Sequence, residues 1–511
     1  MFKKYTSEDS WLVGVLALVA FTASSYFYLL GGSVAVNLGL VEPTAAGQVA
    51  QTVSSSNETY YFNIATGADT NSCSQGAPCK TVAKAISIAE SRQNSTGDTT
   101  LLFAAGDYGA LDWNIPGNFA SNVLWQSQDT NNPARLHNLY VFCDGCISNQ
   151  TFDSFNIYRP SGGGSRAYVV EIRGIAYLTI SNNEVHNEDL YAGFGGIKME
   201  ARTDTNGTTH MSHHNNFIGN EIHDMIVGIS YKSHDTVIRG NELYRIPGSL
   251  IGMSCGGNLH ADRVQSAWNM LIEDNVLHDN LGDYPNEPGY EGYDEPHELH
   301  SSTFSIRGSD TTIRGNRAWN TNKVWIQFYR GDCGISNYDV ENIVIEENIF
   351  YGSGRRGVLQ TYNNVVTGPI TIRNNTVTDM FFLLNLKGDV FSGEGVEVYD
   401  NFFSNLGIPY NAHYEAYTAP TAAWKMDHNV AFNKAWIARE IDPTNLILGE
   451  GAANTLFTNP DYSEYTSLDC GPEGRDSCDW TPAPGSILCT AGRNGGHVGA
   501  VPCRSANEQR S

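Results

Sequence analysis

The chain has 511 residues and a formal charge of −24; 41% of it is hydrophobic and 17% charged, with 51 Gly and 26 Tyr. That composition excludes a disordered chain, which lacks the apolar residues to build a core, and the acidic balance excludes general nucleic-acid binding, which needs a basic footprint. An anionic ligand stays open to such a protein only through a local cluster of Lys and Arg.

At the N-terminus, Lys3 and Lys4 precede "WLVGVLALVAFTASSYFYLLGG", and no charged residue occurs between Asp9 and Glu42. The run is long for a signal-peptide core and about right for a membrane span. Residues 1–42 are therefore expected to be a cleaved signal peptide or an uncleaved N-terminal anchor. Either way the protein is expected to be exported and to touch a membrane only through this segment. Residues 43–58, rich in Ser, Thr, Ala and Gln, read as a tether. The ten cysteines fit an oxidising compartment. They fall as near neighbours, Cys73 with Cys79, Cys143 with Cys146, Cys470 with Cys478 and Cys489 with Cys503, leaving Cys255 and Cys333 as a longer-range pair. An even count in an exported chain favours disulfides over zinc, since "CDGC" stands without a second ligand pair.

Next comes "PCKTVAKAISIAES" (78–91), where Val82, Ala85, Ile86 and Ala89 recur at helical spacing. This predicts a helix that covers one open end of the domain behind it. From residue 180 a short pattern repeats: an apolar residue, two variable ones, Asn, then another apolar two later. Its copies include "FIGNEI", "IRGNEL", "IEDNVL", "IEENIF" and "VYDNFF", with Asn at 183, 220, 241, 275, 316, 348, 375, 401 and 429. The gaps run from 21 residues (Asn220 to Asn241) to 41 (Asn275 to Asn316). Periods of this size mean stacked supersecondary units, and short alternating strands with Asn and Gly corners suit a parallel β-solenoid. Asn tolerates left-handed backbone angles at a sharp turn. Stacked coil on coil, its amide can also bond the Asn above and below. The fold class expected is all-β: a parallel β-helix over 59–403 with an N-terminal capping helix, followed by last coils and a disulfide-containing C-terminal cap over 404–511.

The opening "YYFNIATGADTNSCSQGAPCKTVAKAISIA", the stretch "GDTTLLFAAGDYGAL" and the close "DWTPAPGSILCTAGRNGGHVGAVP" resemble the right-handed parallel β-helix, or pectate-lyase-like, superfamily. The similarity covers roughly residues 59–503. It implies a right-handed coil and a polysaccharide partner, while the superfamily's lyases, hydrolases, epimerases and binding proteins leave the activity open.

Side chains alternate along a strand. Counting back from each Asn places Ile197, Ile229, Val264, Ile306, Ile326, Leu359 and Leu384 inward. Their neighbours Lys198, Ser230, Gln265, Arg307, Gln327, Gln360 and Asn385 then face outward, followed two residues on by Glu200, Lys232, Tyr329, Tyr362 and Lys387. Such a strip suits a linear sugar chain, because Gln, Asn and Arg bond hydroxyls and carboxylates while Tyr rings cover sugar faces. Gln265, Arg307, Lys323, Gln327, Tyr329, Gln360 and Tyr362 are the expected substrate contacts.

Two stretches add reactive groups. "HADRVQ" (260–265) resembles in spacing the polar-x-Asp-Gly-aliphatic-Asp strand of polygalacturonase-type hydrolases, but His260 takes the first polar position and Gln265 replaces the second acid. A hydrolase needs a carboxylate on each side of the bond. "DEPHELH" (294–300) gathers Asp294, Glu295, His297, Glu298 and His300, and its "EPHE" faintly resembles the Asp-Pro-His-acid motif of mannuronan C5-epimerases. Lyases and epimerases of uronate chains both neutralise the carboxylate and remove the adjacent proton, which calls for a cation beside a base. The expected catalytic set is His260, Asp262, Arg263, His297 and His300, with Asp294, Glu295 and Glu298 as Ca²⁺ ligands. The expectation is a monomeric exported lyase or epimerase. A non-catalytic surface glycan-binding protein and a glycoside hydrolase of the same fold are the alternatives.

Overall fold

The structure is a computed structural model, and it describes residues 57–161, 167–188, 195–253, 267–280, 302–306, 308–321, 324–329, 340–353, 359–362, 368–378, 384–386, 395–404, 424–432, 442–449, 452, 455–458 and 480–503. The N-terminal apolar run lies outside them. Among the described residues no helix is long and apolar enough to cross a membrane.

Those residues form two long parallel sheets, of 22 and 13 strands, and one two-stranded ribbon. Each coil pairs in parallel with the next: Gly195 with Val227, Ile229 with Ile251, Ser302 with Val324 and Ile326 with Leu359. One coil shows the construction rule. Val227–Tyr231 is followed by a bend at Lys232, then Ser233–Arg239, then the turn at Gly240 and Asn241, then Glu242–Tyr244 in the second sheet.

Three apolar rows fill the interior, one from each strand column. The first contains Ile197, Ile229, Ile251, Phe304 and Ile326, and the second Phe217, Ile238, Ile272, Ile313 and Ile345. The third contains Ile222, Leu243, Leu277, Ala318 and Phe350. All fifteen are at 0% exposure. Each fully buried aliphatic of this size contributes roughly 1.5–3 kcal/mol, and stacking places like on like along the axis.

The asparagine ladder is continuous. Asn183 Nδ2 donates to Asn220 Oδ1 at 3.1 Å, Asn220 to Asn241 at 2.9 Å, Asn241 to Asn275 at 3.0 Å and Asn275 to Asn316 at 2.9 Å. It runs on through Asn348, Asn375, Asn401 and Asn429, and Asn445 adds a rung the repeat did not reveal. Backbone N–H groups use the same oxygens, as Asn275 N does with Asn316 Oδ1 at 3.0 Å. One expectation needs correction. The left-handed residue is the one before the ladder Asn: Asn182 (φ 53°), Gly219 (66°), Gly240 (64°), Asp274 (56°) and Gly315 (65°). The ladder Asn is there for its amide. At Gly315 a Cβ would sit 2.4 Å from Asp274 Oδ1, so a side chain there would have to displace that carboxylate as well as accept the left-handed angle.

The predicted helix, α1, spans Val82–Ser91; the side chain of Thr81 accepts from Lys84 N, and Asp69 in turn accepts from Lys80 N, Thr81 N and the Thr81 hydroxyl. Its buried residues are Val82, Ala85, Ile88 and Ala89, so Ile88 takes the place expected of Ile86. They share a hydrophobic cluster with Phe62, Leu101 and Phe103 of the first strands. Disulfides join Cys73 to Cys79, Cys143 to Cys146 and Cys489 to Cys503; Cys255, Cys333, Cys470 and Cys478 lie outside the described residues. At the C-terminal end, Trp480, Leu488, Val498 and Ala500 pack against Trp319, Tyr351, Phe402 and Val430 on the outer face of the second sheet. Arg493 fastens this segment. It donates to Asp427 at 2.6 and 2.7 Å and to Glu397 at 3.2 Å, and lies 3.6 Å over the Tyr399 ring.

Candidate functional site

Register fixes which residues share the outward row of the larger sheet's first column. In coil order they are Tyr140, Glu171, Lys198, Ser230, Gly252, Ser305, Gln327, Gln360 and Asn385. Gln327 stands beside Gln360, and Tyr329 beside Tyr362. At two coils the row differs from the sequence count. Gly252 occupies the position expected of Gln265, and Ser305 that expected of Arg307. The inward residues there are Ile251 and Phe304, because a long insertion separates Ile251–Met253 from Ala267–Glu273 and breaks the count back from Asn275. His260, Asp262, Arg263, Gln265, Asp294, Glu295, His297, Glu298, His300, Arg307 and Lys323 lie outside the described residues, as do the side chains of Tyr329, Gln360 and Tyr362.

The row is not a freely solvated strip. Ser230, Ser305 and Gln327 are buried although they point away from the core. Toward the N-terminal coils it becomes a charged cluster. Arg173 pairs with Glu171 and stands 3.7 Å from Glu200, and Lys198 Nζ is 2.6 Å from Glu200 Oε1 while lying 5.0 Å over the Tyr168 ring. Lys232 follows at the bend, its N–H bonded to Met199 O at 2.7 Å. It is 3% exposed, and among the described residues its ammonium makes no hydrogen bond or ion pair. Burial lowers its pKa; Glu200 acts against that shift and Lys198 adds to it. Three cations thus face two carboxylates, a surplus of one positive charge within a protein of net charge −24. A buried lysine with no partner among the described residues costs stability and is the sort of group kept for chemistry.

The second sheet carries a different feature. Tyr158, His186, His223, Tyr244, His278, Trp319 and Tyr351 stack ring on ring, with centroids 4.6–5.9 Å apart and planes within 18°. Carboxylates hold the imidazoles: His223 meets Glu184 at 3.3 Å and Asp224 at 2.7 Å, and His278 meets Glu242 at 3.1 Å and Asp279 at 2.9 Å. Burial alone would push the His223 imidazole down. The bonds to Asp224 and Glu184 outweigh it and hold it at about 9. Every ring but the ends is covered on both faces, and Arg135 lies 3.9 Å over Tyr158 at one end, so the inner rings of this stack stabilise the wall and offer no face to a ligand.

Residues 210–403 match the protein-family model described as right handed beta helix region. Among solved structures, an alginate lyase from Paenibacillus sp. str. FPU-7 is 12% identical, over 66% of this chain and 99% of its own, with a TM-score of 0.42. A pectate lyase, Pel9A, is 14% identical over 89% and 98%, with a TM-score of 0.41. A lacto-N-biosidase from Eubacterium ramulus is 13% identical over 72% and 68%, with a TM-score of 0.42. No curated protein matches the sequence. The parallel register and the asparagine ladder make the described residues a parallel β-helix, and residues 210–403 of it are similar to the right-handed β-helix family.

Proposed function

We propose that the protein is an exported polysaccharide-active enzyme that binds a uronate-containing chain along the outward row and removes the C5 proton of a uronate unit, as a lyase or a C5-epimerase. Lys232 carries the proposal. Its burial lowers the pKa of its ammonium, which is the direction that suits a general base. Lys198 and Arg173, from the neighbouring coils, supply positive charge to the carboxylate that acidifies the adjacent C–H. Lys232 Nζ takes the C5 proton. In a lyase the C4–O bond then breaks, its electron pair leaving with the oxygen, which takes up a proton. In an epimerase a proton returns to C5 from the opposite face. Gln327, with Gln360, Tyr329 and Tyr362 on the following strand positions, extends the row for further sugar units. His260, Arg263, His297 and His300 remain candidates for the acid that completes either reaction, and Asp294, Glu295 and Glu298 for a Ca²⁺ ion. Residues 1–42 deliver the chain to the cell surface or beyond, and helix α1 closes the first coil.

A second proposal is a glycan-binding protein without turnover, and one observation favours it: Arg173 and Lys198 are already paired with Glu171 and Glu200. Alginate, pectate and glycosaminoglycans incubated with the protein separate the two, read by the ultraviolet absorbance of the unsaturated uronate. Lys232→Met is the decisive variant. It should abolish turnover while raising stability by about 1–2 kcal/mol, because Met fills much of the same volume without the cost of burying an amine. Turnover that survives Lys232→Met removes Lys232 from the chemistry, and binding without product on every polymer supports the second proposal.

A further inference from the structure

Beyond the bend that follows Lys232, the larger sheet's second column carries another outward row: Ala176, His213, His234, Trp268 and Ser309 in register. His213 and His234 stack at 4.9 Å, and His234 and Trp268 at 4.1 Å with planes 6° apart. Among the described residues the indole is therefore covered by a ring on one face and makes no ring contact on the other. The next coil places only Ser309 there, and the coil after that Glu341, counting back from the pairing of Thr311 with Ile343. The bond from Asp310 N to Glu341 O at 3.0 Å carries the same register one residue further. Trp268, Ser309 and Glu341 are all partly exposed, and among the described residues neither the Ser309 hydroxyl nor the Glu341 carboxylate has a hydrogen-bond or ion-pair partner.

Two coil spacings separate Trp268 from Glu341, about 9.6 Å. The row thus contains a notch with an indole wall, a hydroxyl floor and a carboxylate wall. The indole is held rigidly: Asn269 bonds Asp235, and Asp235 bonds His234 Nδ1 at 2.7 Å. Asn269 and Asp310 both adopt left-handed backbone angles, at φ 51° each, and Asp310 Oδ1 accepts from Asn342 Nδ2 at 2.9 Å.

We propose that this notch is a second carbohydrate site, distinct from the Lys232 row, which takes one neutral pyranose unit of a glycan. A pyranose ring laid on the open indole face at roughly 3.5–4 Å leaves room for its far edge to reach Glu341. The carboxylate then accepts from two neighbouring hydroxyls, and Ser309 bonds a third. Charge sets the selectivity: Glu341, Asp310 and Asp235 repel a uronate carboxylate, so the notch rejects the sugar that the Lys232 row attracts. The protein would hold a mixed or composite wall polymer by its neutral portion while the uronate portion meets Lys232. The site stands independently of the reaction proposed above, since it needs no chemistry at Lys232.

Affinity electrophoresis of the full chain through gels containing mannan, xylan, β-glucan, chitosan or alginate tests this. We expect retardation in at least one neutral gel, weakened roughly tenfold or more by Trp268→Ala and severalfold by Glu341→Gln, and unchanged by Lys232→Met. Ser309→Trp supplies the variant that need not unfold: a new indole would continue the ring row, fill the notch and abolish neutral-glycan binding, with circular dichroism checking the fold. Retardation by no neutral glycan, retardation by chitosan alone, or neutral binding that survives both Trp268→Ala and Ser309→Trp would overturn the proposal.

Discussion

Replacing Asn316 with Ala tests the ladder at its middle. The side chain is fully buried, and its Oδ1 accepts from Asn275 N at 3.0 Å and from Asn275 Nδ2 at 2.9 Å. Its own amide donates to Asn348 Oδ1 and to Ile272 O, both at 2.9 Å. Truncation leaves two buried donors on Asn275 without an acceptor. At about 1–3 kcal/mol for each orphaned group, the loss should be roughly 2–6 kcal/mol. Asn183 begins the ladder, and its Oδ1 accepts from Phe155 N alone, at 2.9 Å. Asn183→Ala should therefore cost about half as much. Asn316→Asp keeps the acceptor but turns an oxygen toward Asn348 Oδ1, so it should rescue little. Urea unfolding followed by far-ultraviolet circular dichroism gives the ranking from the midpoints and slopes. Equal losses at Asn183 and Asn316, or a loss under about 1 kcal/mol at Asn316, would show that the amides decorate the turn without supporting it.

Three further outcomes follow from the wall and the strap. His223 sits at about 9 in the folded chain against about 6.5 unfolded, so its contribution is complete below pH 6.5 and fades as pH rises through about 9. Thermal melts across that window should lose about 2–3 kcal/mol in the wild type and less in His223→Leu; parallel slopes in the two proteins would exclude His223 as the cause. Cys489 and Cys503 are 14 residues apart, which corresponds to about 3 kcal/mol of loop entropy. Cys489→Ser should speed proteolysis within 480–503 while leaving the coil's own melt in place, and a collapse of the whole melt would contradict a strap that docks on a finished wall. Ile272→Ala, in the second interior row, should cost roughly 2–5 kcal/mol by urea unfolding.

The coil was legible in the sequence because its turn needs one residue type at one place in every repeat. The ladder asparagines, the inward Ile197, Ile229 and Ile326 and the pairing of Gln327 with Gln360 all followed from that. The left-handed position was misassigned because Gly, Asp, Asn, Glu and His all serve there, so the preceding residue showed no single letter. Ile306 does point inward, as expected, but it pairs with Phe328 and leaves the place beside Ile326 to Phe304, because a long insertion breaks the count by two residues; Val264 lies outside the described residues. The ring stack of the second sheet had a signal that went unread: three residues after each of the first six ladder asparagines stand His186, His223, Tyr244, His278, Trp319 and Tyr351. Glu171 and Arg173 were missed because their coil precedes the first Asn. The burial that singles out Lys232 from Lys198 has no trace in the letters at all.

The central claim is proton removal at C5 by Lys232. Proton NMR of alginate, pectate and a glycosaminoglycan, each incubated with the protein in deuterated water, reads it for lyase and epimerase alike. On at least one polymer the H5 signal should disappear, by elimination or by exchange for deuterium, and it should persist with Lys232→Met. An H5 signal unchanged by the wild-type protein on all three, or lost equally with Lys232→Met, would contradict the account.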